Sequence, residues 1–228
     1  MNQSRPRRSS EEWVGPKAQA APRRLSDIAY DTLSLAIRER KLRAGEVIVE
    51  QYLAESLGLS RTPLRQALQR LEIEGQLVKS GGRSFKIRQV STDEYLQSLK
   101  VREMLEPEAA ALATDRLDRG AIAAARAALW GLSSQRPYDV IAHWKADDAL
   151  HHLFIDNCGN QVMSRSLRAL RVTTQLFEIE RLTDRLDPDS RGHDLILDAL
   201  EARDSKAARR AVTQHIRALI KFATATLS

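Results

Sequence analysis

The chain has 228 residues, of which 43% are hydrophobic and 29% charged, a composition typical of globular proteins with one large or two small cores. No apolar run approaches the roughly 18 residues that would span a bilayer, and the N-terminus lacks the apolar stretch of a secretion signal. We therefore expect a cytoplasmic protein without a membrane partner. Its single cysteine, Cys158, is expected to be a small buried residue.

The positive charge is concentrated in the first 90 residues. The formal net charge is +6, and residues 1–90 hold 17 Lys and Arg against 10 Asp and Glu, whereas residues 91–228 hold 19 against 20. A confined basic excess is typical of a module that binds a polyanion, although a basic tail gives the same sum. Residues 1–24 are rich in Arg, Ser, Pro and Ala without apolar periodicity, which predicts a flexible basic arm.

Residues 25–90 are predicted to form three helices and a hairpin. The predicted helices cover residues 25–41, 50–56 and 60–75, and the predicted strands cover residues 76–79 and 85–90. Gly58 separates the second helix from the third, and Gly81 and Gly82 lie in the hairpin turn. This order of elements predicts a winged helix-turn-helix.

Residues 91–228 are predicted to be entirely helical and to form an all-α antiparallel bundle. Thr92 is expected to cap the first helix, and Pro107 to kink or interrupt it. Further helices are predicted over residues 122–132, 138–157, 161–182, 192–203 and 205–227, with one of the intervening turns at residues 187–190. The expected fold class is therefore mainly α, with a winged helix-turn-helix followed by a helical bundle.

The third predicted helix carries side chains suited to DNA. Ser60 is placed to cap it, and Arg61 and Arg65, four residues apart, lie on one face. A guanidinium presents a planar fork of donors that engages the edge of guanine or holds a phosphate. Ser60 and Thr62 at the helix start are able to donate to phosphate beside the unpaired backbone amides.

The hairpin offers a second DNA contact. A glycine tip at Gly81 and Gly82 lets the backbone approach the minor groove while Arg83 enters it. Taken alone, the helix is better explained as a surface helix with solvated arginines, and the hairpin as an ordinary turn. Their occurrence in this order favours DNA binding.

This segment resembles the GntR superfamily of bacterial regulators. The family pattern Leu-Ala-x-x-Leu-Gly-Val-Ser-Arg-x-Pro-Val-Arg-x-Ala-Leu matches Leu53 to Leu68, and the leucine, acid and Gly-Leu-Val that follow it match Leu71 to Val78. A basic residue that contacts DNA in some members is replaced here by Gln51. The resemblance implies a dimeric transcriptional regulator whose DNA contacts are Ser60, Arg61, Thr62, Arg65, Gly82 and Arg83.

The helical half contains a candidate metal site. All five histidines follow residue 142. Asp147 and His151 lie four residues apart, share one helix face and are able to chelate one ion. Asp148 and His152 have the same spacing, and either pair is also explained by a hydrogen bond within the helix.

The helical half is similar to the FCD ligand-binding domain of the FadR subfamily within GntR. Its metal-binding members have an acid, a histidine four residues later and a glycine eight residues after that, which matches His151 and Gly159. Two further family histidines are 22 residues apart, as are His193 and His215. The resemblance implies the ligands Asp147, His151, His193 and His215. Three imidazoles and a carboxylate suit zinc or nickel, and also manganese.

Arg102 is the candidate effector-binding residue. The family motif Arg-x-x-Leu-Glu falls on Arg102, Leu105 and Glu106, and the resemblance implies that Arg102 holds the carboxylate of a small effector. The competing interpretation is an ion pair between Arg102 and Glu106, four residues apart on a helix.

The sequence therefore predicts a homodimeric regulator, not an enzyme, whose affinity for operator DNA is controlled by a small carboxylate metabolite at a divalent metal. Two alternatives come from other classes. A metal-dependent hydrolase would use three histidines and an aspartate around an open coordination position to activate water. A nonspecific architectural protein would bind DNA without reading its sequence.

Overall fold

The computed structural model describes residues 23–82, 84–133, 139–181 and 186–227. Most of the predicted basic arm, together with Arg83, lies outside the described residues. Within them the chain is mainly helical, with short strands confined to the first part. In the described part of the chain, no helix is long and apolar enough to cross a bilayer.

The first part combines three helices with a small sheet. Its elements are α1 (Leu25–Arg38), β1 (Val47–Val49), α2 (Glu50–Leu57), α3 (Arg61–Ile73), β2 (Leu77–Lys79) and β3 (Ser84–Ile87). The strands are antiparallel in the order β1-β3-β2, with β1 aligned so that Val49 pairs with Ser84. Strand β1 was not predicted, because three residues are too few to show an alternating pattern.

The core of the first part forms between α1, α3 and the sheet, from the apolar positions that recur along each element. Its fully buried members include Ala29, Leu33, Leu64, Leu68, Leu71, Leu77 and Ile87. Gly58 ends α2 in the left-handed conformation, with φ of 62°, which permits the tight turn into α3. Ser60 occupies the N-cap position of α3, but within the described chain its side chain makes no capping hydrogen bond. Ser60 is therefore the N-cap residue, as predicted, but without the hydrogen bond that a capping side chain makes.

The second part is a helical bundle. Its elements are α4 (Thr92–Ala113), α5 (Arg119–Ser133), α6 (Val140–Asn157), α7 (Gln161–Arg181), α8 (Leu186–Glu201) and α9 (Ser205–Leu227). Helix α4 packs along α9, α7 and α6, and α8 packs along α9. Cys158 is buried in this core, as predicted. The predicted fold, a winged helix-turn-helix followed by a helical bundle, is confirmed.

Three local predictions in the bundle differ from the structure, the one for Pro107 only in the interruption that it allowed. Ser91 rather than Thr92 caps α4, since the Ser91 hydroxyl accepts a hydrogen bond from the Glu94 amide at 3.1 Å. Pro107 does not interrupt α4, because core packing of the following alanines outweighs one lost backbone hydrogen bond. Residues 187–190 belong to the first turn of α8, where Pro188 needs no amide partner, rather than to a turn.

Helix α7 contacts both parts of the chain. Leu176 belongs to the apolar cluster of the first part, and Val172 packs against that cluster. Phe177 stacks on Tyr95 near the start of α4, with ring centroids 4.2 Å apart. Helix α7 is therefore a packed connection between the bundle and the winged helix-turn-helix.

Candidate metal centre and DNA-reading surface

Four buried side chains meet between α6, α8 and α9. Asp147 and His151 come from α6, His193 from α8 and His215 from α9, and one ligand atom of each lies within 4.8 Å of all the others. The Nε2 atoms of His151 and His215 are 3.3 Å apart, and Asp147 Oδ1 lies 3.0 Å from His193 Nε2 and 3.6 Å from His151 Nε2. The structure thus brings together all four predicted ligands.

These distances fit a shared ion. Donors bound at about 2.1 Å are separated by about 3.0 Å at right angles and by about 3.4 Å in a tetrahedron. Asp147 Oδ1 and His193 Nε2 are buried and make no hydrogen bond within the described part of the chain, although they are 3.0 Å apart. A cation bound between these two atoms would satisfy both of them. Buried polar atoms of this kind are costly without such a partner.

Glu106 on α4 orients one of the imidazoles. Its Oε2 lies 2.7 Å from His151 Nδ1, and both side chains are fully buried. Because a carboxylate accepts, Nδ1 carries the proton and donates it, which directs the Nε2 lone pair of His151 toward the cluster. The family motif located Glu106 in the sequence, but helical spacing alone does not predict its contact with a residue 45 positions away.

Arg102 is buried beside Glu106. Its Nε donates to Glu106 Oε1 at 2.5 Å, and its Nη1 donates to Thr174 Oγ1 on α7 at 3.0 Å. The predicted ion pair is therefore formed, but it is buried rather than on the surface. Arg102 Nη2 is also buried and has no hydrogen-bond partner among the described residues. One amino group thus remains to bind a ligand.

Arg171 on α7 distinguishes the two candidate pairs on α6. Its Nη2 donates to Asp147 Oδ2 at 2.8 Å and to Asp148 Oδ1 at 3.0 Å. Asp147 then presents Oδ1 to the histidines, whereas Asp148 and His152 form a more exposed pair at 3.6 Å. The structure therefore favours Asp147 and His151, rather than Asp148 and His152, as the candidate pair of ligands on α6. No sequence feature had singled out Arg171.

His143 and Gly192 complete the surroundings of the cluster. His143 is buried one helical turn before Asp147, and its ring centroid lies 6.4 Å from that of His193. The sequence could have indicated this position, because His143, Asp147 and His151 are four residues apart and share one face of α6. A Cβ at Gly192 would lie 2.7 Å from His215 Nδ1, so glycine lets α8 approach the ring of His215.

The electrostatics keep His151 neutral and both carboxylates ionised. Burial and the nearby Arg171 guanidinium lower the pKa of His151 to about 4. Burial opposes ionisation of Glu106 and Asp147, but Arg102 beside the first and Arg171 beside the second bring each pKa below its ordinary value. Neutral imidazoles and an ionised aspartate are the protonation states that bind a metal.

The start of α3 presents the predicted DNA-contacting residues to solvent. Ser60, Arg61 and Thr62 are exposed. Arg65 differs, because its guanidinium is paired with the buried carboxylate of Glu50, with Nη2 2.7 Å from Oε2. The competing interpretation of α3 as a surface helix with solvated arginines therefore does not describe Arg65.

The hairpin tip has the expected glycine geometry. Gly81 and Gly82 have φ values of 85° and 52°, in the left-handed region that favours glycine. Both are exposed between β2 and β3. The predicted contact Gly82 thus lies at the tip of the wing, while Arg83 is outside the described residues.

Comparison with known families decides the identity of both parts. Residues 25–87 match the model of the bacterial regulatory proteins of the gntR family, and residues 97–218 match the FCD domain. The chain belongs to the GntR family and carries an FCD domain. GntR-family proteins are transcriptional regulators, so the chain is a transcriptional regulator rather than an enzyme, as predicted.

Named GntR-family relatives agree with this assignment. The chain is 26% identical over 193 residues to the probable D-xylose utilization operon transcriptional repressor of Paenarthrobacter nicotinovorans, covering 83% of this chain and 84% of that protein. It is 30% identical over 128 residues to the Nta operon transcriptional regulator of Aminobacter aminovorans, covering 56% of this chain and 61% of that protein.

Solved structures show the same fold. E. coli McbR/YncC superposes with a TM-score of 0.74 at 21% identity, covering 91% of this chain and all (100%) of that chain. A GntR regulator from Rhodococcus sp. RHA1 superposes with a TM-score of 0.72 at 17% identity, covering 88% and 97%.

Proposed function

We propose that this regulator binds operator DNA as a cytoplasmic homodimer and that a small carboxylate metabolite, bound at a divalent metal in the FCD domain, controls its operator affinity. The observation that carries the proposal is the convergence of four buried donor groups, whose ligand atoms all lie within 4.8 Å of one another. We also propose the division into an arm over residues 1–24, a DNA-binding domain over residues 25–90 and a sensing domain over residues 91–228.

Asp147, His151, His193 and His215 are the proposed metal ligands. Three imidazoles and one carboxylate favour zinc or nickel, with manganese also compatible. When bound, the ion supplies open coordination positions for oxygen ligands. Glu106 holds the ring of His151, and Arg171 holds Asp147, so both ligands on α6 are oriented before the ion arrives.

The charge of the pocket supports an anionic effector. The charged side chains that are both buried and linked by hydrogen bonds to one another or to the proposed ligands include Arg102, Arg171, Glu106 and Asp147, whose formal charges cancel. Including the partly exposed Asp148 gives one excess negative charge, which a divalent cation converts to one positive charge. Burying a net positive charge favours a compensating anion. We propose that Arg102 Nη2 binds one oxygen of this carboxylate.

The proposed operator contacts are Ser60, Arg61, Thr62 and Arg65 in the recognition helix, and Gly82 and Arg83 in the wing. The exposed start of α3 and its unpaired first-turn amides support phosphate contacts there. Two copies of such a helix are needed to read a palindrome, which supports a dimer.

Operator titration with and without metal tests this function. The probe is a duplex selected from random oligonucleotides, and the effectors are a panel of small mono- and dicarboxylates. We expect at least one carboxylate to change the operator affinity of the zinc- or nickel-loaded chain about 5- to 150-fold, and to have no effect after metal removal. Failure to select any defined duplex would instead support the architectural alternative.

Two substitutions separate the ligand set from its neighbours. His193→Ala is expected to abolish both metal binding and the carboxylate response while operator binding persists. His152→Ala, a histidine on α6 that faces Asp148 and Asp156 rather than the cluster, is the matched control and should leave both intact. A full carboxylate response in metal-free, folded protein would overturn the metal-dependent mechanism.

A further inference from the structure

The recognition helix α3 is tied to α2 by one carboxylate. Glu50 is the first residue of α2, directly after β1, and its side chain is only 7% exposed. The side chain of Arg65 on α3 is 42% exposed. A buried acid therefore holds an arginine whose remaining surface faces solvent.

The pair uses one side of the guanidinium. Nε lies 3.1 Å from both carboxylate oxygens of Glu50, and Nη2 lies 2.7 Å from Oε2. These contacts use the Nε proton and one Nη2 proton. One Nη1 proton and the second Nη2 proton lie on the end edge of the fork, which Glu50 does not occupy.

That second edge is the one suited to a base. The N7 and O6 atoms of guanine require two parallel donors at a fixed separation, which the Nη1 and Nη2 groups supply together. An arginine without a fixed partner samples many rotamers and reaches phosphates as readily as base edges. The hydrogen bonds from Nε of Arg65 to Glu50 restrict the rotamers of Arg65 and therefore the DNA groups that it can reach.

We propose that Glu50 is a positioning residue for sequence specificity. It holds Arg65 with its Nη edge toward a guanine, and its negative charge opposes binding of Arg65 to phosphate. The proposal rests on the proposed role of Arg65 as a base contact. Glu50 should therefore lower affinity for unrelated DNA while raising discrimination at one base pair.

The Glu50→Gln variant tests the proposal, because it retains the size of the side chain and removes its charge. The probes are the duplex selected by the unmodified chain, its single-base-pair variants and an unrelated duplex. We expect discrimination at one guanine position to fall about 3- to 30-fold, part of the value of a bidentate contact. Affinity for unrelated DNA should rise about twofold, since one negative charge near the phosphates is lost. A purely structural role would lower both affinities together.

Glu55→Gln is the matched control, because it removes the same charge from an exposed position of α2, where the Glu55 carboxylate accepts from Gln51. It should leave discrimination unchanged. If Glu50→Gln lowers the unfolding temperature too far for binding assays, Glu50→Asp replaces it. Aspartate keeps the charge but is one methylene too short to hold Arg65, so it should lose discrimination without gaining affinity for unrelated DNA.

Arg65→Ala separates this inference from the proposed function. If Arg65→Ala leaves discrimination unchanged, Arg65 is not a base contact and the positioning role of Glu50 fails, whereas the proposed function stands on the other operator contacts. If Arg65→Ala abolishes discrimination at one position but Glu50→Gln does not affect it, only the positioning role is overturned. In the Arg65→Ala background, Glu50→Gln should change discrimination no further. If Glu50→Gln lowers discrimination there as much as it does in the unmodified chain, the proposal is also overturned.

Discussion

Glu106 connects the proposed metal ligand His151 to Arg102, and it touches both through short hydrogen bonds in a buried setting. Glu106→Gln retains the shape of the side chain but replaces the carboxylate by a weaker acceptor. We expect zinc or nickel affinity to fall about 10- to 100-fold, the usual cost of losing a hydrogen-bonded partner of a ligand. Competition with a chromophoric chelator measures this change.

The control for this substitution is Glu108→Gln. Glu108 lies on the same helix but is exposed and pairs with Arg209 on the surface. Its loss should leave metal affinity unchanged. Equal metal affinity in the Glu106→Gln variant and the unmodified chain would refute an orienting role for Glu106.

His151 also sets the pH dependence of the metal-free fold. Because burial and Arg171 lower its pKa to about 4, the unfolded chain, with an ordinary histidine pKa of about 6.5, binds more protons between these two values. The free energy of unfolding should therefore fall as the pH drops from about 6.5 to about 4, by up to about 1.4 kcal/mol per pH unit from this ring. Below that window this contribution stops changing.

Urea denaturation of chelator-treated protein across this range measures the effect. His151→Gln should flatten the dependence, while His152→Gln, which alters a partly exposed ring, should not. An unchanged slope in the His151→Gln variant would exclude His151 as its source.

At the scale of helices, Gly192 sets how closely α8 approaches α9. Gly192→Ala would place a methyl group 2.7 Å from His215 Nδ1 and force the ring out of position. We expect metal affinity to fall about tenfold or more, since metal sites tolerate little displacement of a ligand. The same substitution at Gly131 in α5 is the control, because no described atom lies within 4 Å of the added methyl.

Gly131→Ala should leave metal affinity unchanged and raise the free energy of unfolding by up to about 1 kcal/mol, the helix preference of alanine over glycine. Chelator competition and thermal unfolding of both variants provide the comparison. Metal affinity that is insensitive to Gly192→Ala would show that the helices move apart at little cost.

The long helices were predictable from the sequence because their apolar periodicity extends over several turns. Helix α9, for example, was predicted with the bounds that the structure has. Strand β1 was missed because three residues are too few to show a periodic pattern. Helix α4 continues through Pro107, where an interruption was one of two predicted outcomes, because tertiary packing outweighs a local helix breaker.

The candidate site was predictable only in part, for a related reason. The resemblance to metal-binding FCD domains located the four donors, whose spacing along the chain is distinctive. Spacing does not reveal which groups from other helices support them, so the contacts of Glu106 with His151 and of Arg171 with Asp147 became visible only in three dimensions. The Glu50 contact that occupies Arg65 was hidden for the same reason.

Helix α7 links the proposed sensor to the DNA-binding part. Arg171 and Thr174 contact the site, whereas Leu176 and Val172 pack with the core of the first part. A shift of α7 therefore changes both environments at once. Leu176→Ala should bring the ratio of operator affinities with and without metal and carboxylate closer to one, while metal binding persists.

Paired operator titrations measure that ratio. Val162→Ala, an exposed position on the same helix, is the control and should retain the full response. A full response in folded Leu176→Ala protein would mean that coupling follows another path, such as the direct connection from the wing into α4.

Strand β1 fixes the distance between the recognition helix and the wing. Val49 pairs with Ser84 at the base of the wing, and the next residue, Glu50, holds Arg65. Among the described residues these two contacts tie α3 to the base of the wing, so each head is expected to resist bending. Bound effector is then expected to act on the separation of the two heads in a dimer. Successive major grooves on one face of DNA lie about 34 Å apart. If effector binding changes the separation of the two recognition helices from this value, operator affinity falls although the structure of each head is unchanged.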